Sequence, residues 1–181
     1  MKARTSVIAV DVGNSAVKVL VWKSGHRNTS AGEDVPHRTF ALAEDNWQTA
    51  LCDWVDAQTQ NGAMDWLVCT VNRSASDPLE QTVLHHFYRQ SGGATTWQAF
   101  RYDDVPMIVA VDFPERLGLD RLMGAFAAST QYPGSLVVVD VGSAVTVDFV
   151  SRDALGKAVF QGGASLPGIR LQREALTSGT E

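Results

Sequence analysis

Cysteine is scarce in this chain and cannot build a scaffold. Cys52 and Cys69 are the only two among 181 residues. They are too few for a bridge-stapled fold and lie at no metal-finger spacing, so they read as buried thiols of a reducing compartment. Long apolar runs are missing too. None reaches the roughly 18 residues of a membrane span. Met1 to Arg4 lead straight into a short strand without the apolar stretch of a signal peptide, so the expected setting is cytoplasmic, with no membrane partner. Basic charge is low: 15 Lys and Arg stand against 20 Asp and Glu, a net charge of −5. With no basic run, a nucleic-acid partner is not expected. His85 and His86 have no third ligand nearby and read as ordinary surface. Trp47 and Trp54 fall on one helix stripe, which implies core rather than a base-stacking platform. What is present is 45% hydrophobic and 19% charged, the balance of a globular protein with a real core. The length suits one large domain or two small ones.

Against that background one pattern occurs twice. Apolar residues 7–10 lead to Asp11, Val12, Gly13, Asn14, Ser15, Ala16, Val17 and Lys18. Apolar residues 136–139 lead to Asp140, Val141, Gly142, Ser143, Ala144, Val145 and Thr146. Each copy is a strand, an Asp near its carboxyl end, a glycine turn with small hydroxyl neighbours, and a second strand. Repetition reports architecture, here two similar half-sites. A tight turn of backbone amides holds phosphate oxygens, and a carboxylate beside it holds the cation that phosphates carry. The first copy lacks the Gly-Lys-Ser/Thr of a Walker A loop and the three glycines of a dinucleotide loop. It reads as a hairpin in which Gly13 and Asn14 tolerate positive φ. The intervening turn leaves the face of Lys18 undetermined.

Periodicity fills in the rest. Strands are expected at 6–10, 17–22, 38–42, 66–71, 95–100, 107–111, 136–139, 144–150 and 157–160, and a loop at 23–36. Apolar positions 47, 50, 51, 54 and 55 mark a helix with Asp45 as its cap. Asp77-Pro78, with Glu80 three after the cap, reads as the start of a second helix ending near Gln90. A third follows Gly118 to about Tyr132, and a fourth covers 169–176. Strands alternate with helices, so the class is α/β. Gly118, Leu119, Asp120 and Arg121 open the third helix. Asp120 there is either a cap or a general base for a hydroxyl nucleophile, and Arg121 offers a two-pronged grip on carboxylate or phosphate. Gly162-Gly163 reads as a turn between strand and helix, either a plain connection or a close approach to a flat ligand.

Four blocks in one order resemble the type III pantothenate kinases of the actin-like phosphotransferase superfamily: Asp11 to Lys18, Gly118 to Arg121, Asp140 to Thr146, and Gly162 to Gly168. The resemblance runs from Val7 to the chain end. It implies actin-like (ribonuclease H-like) duplicated lobes with mixed sheets, at 1–115 and 116–181, the second incomplete. It implies phosphorylation of the pantothenate hydroxyl by ATP, the first step towards coenzyme A. Asp11, Val12, Gly13, Asn14, Ser15, Ala16, Val17 and Lys18 would meet ATP phosphates, and Ser143 would touch ATP. Asp120 would be the catalytic base, and Gly118, Leu119, Asp120, Arg121 and Thr180 would contact pantothenate. Asp140 would ligate a monovalent cation (K⁺ or NH₄⁺), and Mg²⁺ would bridge phosphates. A homodimer is implied. The chain departs from the family at Ser143, where Thr is usual, and at Val111, where the family carries a substrate-contacting Tyr. Relatives continue beyond this C-terminus, which implies an open apolar sheet face and a fragment, a truncated product or a chain needing a partner. The rival readings are a non-catalytic accessory protein similar to the Bvg accessory factor, a kinase for another small molecule, and a filament protein.

Overall fold

The computed structural model describes residues 6–23, 35–59, 63–88 and 91–179. The chain divides into two compact units, Met1–Phe100 and Arg101–Glu181. Sequence reading put the division at 115/116. The segment 101–115 instead goes with the second unit, because its short strand pairs there.

The first unit is a five-stranded mixed sheet with two helices. Its elements are β1 (Ser6–Val12), β2 (Ala16–Trp22), β3 (His37–Ala41), α1 (Trp47–Thr59), β4 (Met64–Thr70), α2 (Arg73–Tyr88) and β5 (Thr96–Ala99). The strand order is β3-β2-β1-β4-β5. β1 and β2 form an antiparallel hairpin, and β4 runs parallel to β1. Strict alternation decides which face is covered. Ile8, Val10 and Val12 of β1, Val17, Val19 and Val21 of β2, and Met64, Trp66 and Val68 of β4 are buried together with Leu51, Val55, Leu79, Val83 and Phe87 of the two helices. Trp66 packs between Phe87 and Trp97, with ring centroids 5.5 and 5.9 Å away. Asp11 and Lys18 have the opposite parity, so they lie on the sheet face turned away from that core.

Two readings of this unit change. α2 begins at Arg73, not at Asp77. The Asn72 side-chain oxygen accepts from the Ala75 N–H at 3.2 Å and from the Ser74 hydroxyl at 2.7 Å. A capping amide five residues upstream of Asp77 thus wins over the Asp-Pro signal, and Pro78 is carried inside the helix. His86 is half-buried rather than plain surface. Its Nε2 lies 2.7 Å from Asp56 Oδ2 on α1, joining the two helices. Most of the expected loop 23–36 falls outside the described residues. Cys52 and Cys69 are both buried.

The second unit contains β6 (Ile108–Val109), α3 (Leu119–Gln131), β7 (Leu136–Val141), β8 (Ala144–Arg152), β9 (Ala158–Pro167) and α4 (Ile169–Gly179). Its sheet order is β6-β9-β8-β7. α3 packs on one face through Leu122 and Ala125, against Val150 and Phe160. The other face leaves Val137, Val139, Val141, Phe149 and Leu166 exposed, as an open apolar face was expected to do. Arg152 closes the far end of α3, donating to the carbonyls of Ser129, Tyr132 and Gly134. The reading of Gly162-Gly163 as a turn is corrected: β9 runs through both to Pro167. The pairing with β8 shifts between Phe149 and Val150, and Gly162 takes φ 106° at that irregularity, the signature of a bulge rather than a strand end.

Candidate functional site

Each unit offers one acidic hairpin. In the first, Asp11 stands directly across from Lys18. The antiparallel register settles the face that the sequence left open, since directly paired residues share one side. Lys18 Nζ lies 3.5 Å from Asp11 Oδ2, with the two side chains 60% and 40% exposed. Both groups are therefore accessible, and the pair is too wet to be a strong stabiliser. The turn between them is closed by Gly13 N–H donating to Ala16 O at 3.0 Å. Gly13 is not among the glycines with positive φ. Its missing side chain serves spacing instead, since a Cβ there would come within 3.2 Å of Ala16 O. The turn is tied down from two sides. Leu42 N–H donates to Ser15 O at 3.0 Å, and the Asn72 amide donates to Gly13 O at 3.4 Å. Asn72, which sequence reasoning missed, thus joins the first turn to the start of α2. An Asn just before a helix was the available signal.

In the second unit Asp140 pairs with Thr146 across β7 and β8. Gly142 N–H donates to Ala144 O at 2.9 Å, closing a turn one residue shorter than that of the first hairpin. Here a glycine before a helix, in place of an asparagine, holds the turn. Gly168 N–H donates to Ser143 O at 3.1 Å, and a Cβ on Gly168 would run into the backbone of Gly142 and Ser143. Both Asp140 and Ser143 are exposed.

The four residues opening α3 lie in this unit as well. Gly118 is the N-cap, with φ −63° and ψ 133°, and makes no side-chain cap bond. Asp120 is therefore the second helical residue and not the cap. Its Oδ1 accepts from the Arg121 backbone N–H at 2.8 Å. It also crowds the space that a Cβ on Gly118 would take. Arg121 does not point freely outward as a gripping fork. Its Nε donates to both oxygens of Asp148, at 3.1 and 3.2 Å, and its Nη2 donates to Oδ1. Asp148 on β8 is a second residue that sequence reasoning missed. Nothing about an Asp inside a strand marks it before Arg121 is seen across from it. Asp140 is its diagonal neighbour, because Asp148 pairs with Val138 and Thr146 with Asp140. Such neighbours stand roughly 7–8 Å apart. Asp140, Asp148 and the start of α3 thus share the helix-bearing face of one sheet.

Two further groups complete the description. The Tyr102 hydroxyl is buried without a hydrogen-bond partner among the described residues, and burial, then Glu115, push its pKa up. Tyr102 and Val111 both pack on the core that carries Leu122. Thr180 lies outside the described residues.

As for cations, no cluster of three His, Cys, Asp or Glu side chains gathers among the described residues. The donor set is single accessible carboxylates, Asp11 and Asp140. That fits a hard cation that brings phosphate oxygens and water as its other ligands, and does not fit an all-protein cage. No helix of the structure is long and apolar enough to cross a membrane.

Comparison with known proteins bears on this arrangement. The family model described as type III pantothenate kinase matches residues 7–181. The type III pantothenate kinase of Rhodopirellula baltica is 34% identical over 192 residues, covering 96% of this chain and 66% of that protein. That of Persephonella marina is 41% identical over 183 residues, covering 96% and 64%. That of Methylobacillus flagellatus is 33% identical over 176 residues, covering 95% and 61%. The chain thus spans somewhat less than two thirds of the length of these relatives. Among solved structures, the Aquifex aeolicus Ppx/GppA phosphatase, type II variant, aligns with a TM-score of 0.44 at 14% identity over 94% of this chain. With both acidic hairpins and the Gly118–Arg121 helix start inside the matched span, the chain belongs to the type III pantothenate kinase family.

Proposed function

We propose that this protein transfers the γ-phosphate of ATP to the hydroxyl of pantothenate, the first step of coenzyme A synthesis. The observation that carries the reading is the family match across 7–181, joined to three acidic elements that suit such chemistry. The two units act as actin-like lobes. The hairpin Asp11–Lys18 receives the phosphates, with the exposed ammonium of Lys18 beside them, and Ser143 contacts ATP from the second hairpin. Gly118, Leu119, Asp120 and Arg121, with Thr180, receive pantothenate. Arg121 is the counter-charge for its carboxylate.

Phosphoryl transfer needs positioning and charge neutralisation more than covalent chemistry from the protein. The Asp120 carboxylate accepts the proton of the acceptor hydroxyl. The hydroxyl oxygen forms its bond to the γ-phosphorus as the bond to the β–γ bridging oxygen breaks, and ADP leaves. Asp140 would hold the monovalent cation, potassium or ammonium, and Asp11 stands where Mg²⁺ on the phosphates would find a carboxylate. These cations supply neutralisation of the phosphate charge when bound. A homodimer in the cytoplasm is the assembly and setting proposed with this activity. Support for Asp120 as base is its exposed position on the first turn of α3, where a carboxylate can come within hydrogen-bond reach of an acceptor hydroxyl.

The test is direct. Wild-type protein incubated with ATP and pantothenate should yield phosphopantothenate and ADP in equal amounts. Asp120→Asn, which keeps the shape and removes the base, should lower kcat by about 10²–10⁴-fold. Equal and negligible turnover by folded wild type and variant would overturn the proposal.

A further inference from the structure

We propose that Asp148 is a positioning residue for the acceptor site: it fixes the Arg121 guanidinium in one orientation, so that the remaining N–H groups of Arg121 present a ready fork to the substrate carboxylate. The inference rests on the reading of Gly118–Arg121 as the pantothenate site.

Four observations carry it. Asp148 is only 2% exposed and Arg121 20%, so this is a desolvated pair and not a surface ion pair. Both Asp148 oxygens are engaged, by Nε and Nη2 of Arg121. That two-pronged contact removes the rotation a lysine would keep. It uses Nε and Nη2 and leaves Nη1 for a second partner. The guanidinium also lies over the Phe160 ring, 6.0 Å from its centroid, which orients its plane.

Room for this pair is built into the next strand. Gly163 stands directly across from Asp148 in the register of β8 and β9. A Cβ at Gly163 would run into Asp148 Oδ1 and Val147 O. Gly163 is thus bare where the carboxylate needs space. Stability alone is a weak reason for such a pair, since a buried ion pair is often replaceable by apolar residues without loss. A more specific consequence follows from sequence order. Asp120 is the immediate neighbour of Arg121, and the guanidinium is drawn to Asp148 instead of onto it. Among the described residues the Asp120 carboxylate accepts from the Arg121 backbone N–H and not from its guanidinium. One buried carboxylate thereby serves two ends: it aims the cation at the acceptor and keeps it off the base.

The experiment uses the full chain with Asp148→Asn, Arg121→Lys and the double variant. The first readout is the ¹⁵Nε–¹H signal of Arg121, identified by its loss in Arg121→Lys. The second is the KM for pantothenate beside the KM for ATP. In wild type the Nε–H should be protected from exchange. In Asp148→Asn it should exchange at least tenfold faster, and the pantothenate KM should rise at least tenfold while the ATP KM stays within threefold. The double variant should be no worse than the weaker single. A folded Asp148→Asn with both KM values unchanged, or single effects that multiply in the double variant, would overturn the proposal. If Asp148→Asn does not fold, wild type still decides: an Arg121 Nε–H exchanging at the free-solvent rate refutes the pinning outright. A protected signal in a wild type that never phosphorylates pantothenate would instead overturn the proposed function and the acceptor named here, while leaving the pinned guanidinium in place.

Discussion

Replacing Asn72 separates two jobs done by one amide. Its oxygen caps α2 through the Ala75 N–H and holds the Ser74 hydroxyl, and its nitrogen donates to Gly13 O at 3.4 Å. Asn72→Ala loses both. An N-cap deleted to alanine costs about 1 kcal/mol. The long bond to Gly13 adds about 0.5 kcal/mol, the low end for a hydrogen bond. The sum is about 1.5 kcal/mol, measured as the change in unfolding free energy by urea titration. Asn72→Asp behaves differently. It keeps an acceptor at the helix start and adds a negative charge where the dipole favours one, but it has no donor for the Gly13 carbonyl. Its stability should stay within about 0.5 kcal/mol of wild type. If the first turn holds ATP phosphates, both variants should raise the KM for ATP several-fold and leave the pantothenate KM nearly unchanged. The reasoning fails if Asn72→Ala and Asn72→Asp are equally stable, or if the ATP KM ignores both.

Two other outcomes follow from the packing. Gly168→Ala places a methyl group against the Gly142 and Ser143 backbone, an overpacking expected to cost about 1–3 kcal/mol and to raise the ATP KM. A Gly168→Ala protein with wild-type stability would contradict the contact. Cys52, whose thiol is pushed up to about 12 by burial and then by Asp53 and Asp56, gives a pH signature. Between about pH 9 and 12 the unfolded chain loses this proton and the folded chain keeps it. Stability from this group is therefore complete below pH 9 and declines above it, by up to about 1.4 kcal/mol per pH unit. Urea titrations at rising pH should show the slope flattened in Cys52→Ala, and an unchanged slope would refute the assignment.

The hairpins were legible because they are local. Alternating valines, an Asp and a glycine turn dictate strand and turn within a dozen residues, and both copies formed hairpins, while the register that sets the face of Lys18 came only with the structure. The α2 start was misread because Asp77-Pro78 is a strong local signal. The deciding interaction was a cap from Asn72, whose amide is also engaged by a hairpin 59 residues away in sequence. Gly162-Gly163 misled for a similar reason. Two glycines suggest a turn, yet β9 needs one for a bulge and the other to make room for Asp148 on the next strand. Asp148 itself was invisible. Alternation puts it on the covered face of β8, where an Asp is costly, and only the Arg121 side chain arriving from α3 explains it. The acidic and glycine positions that sequence supplies are thus reliable where neighbours in the chain are neighbours in space, and silent where a partner comes from another element.

α3 is fastened to β8 at both ends. Arg121 reaches down to Asp148 from its first turn, and Arg152 reaches up to its last carbonyls. A rod riveted twice to the same plate cannot slide, tilt or fray independently of it. Whatever adjustment Asp120 makes when a ligand arrives must come from turning its own short side chain, or from carrying helix and sheet along as one piece.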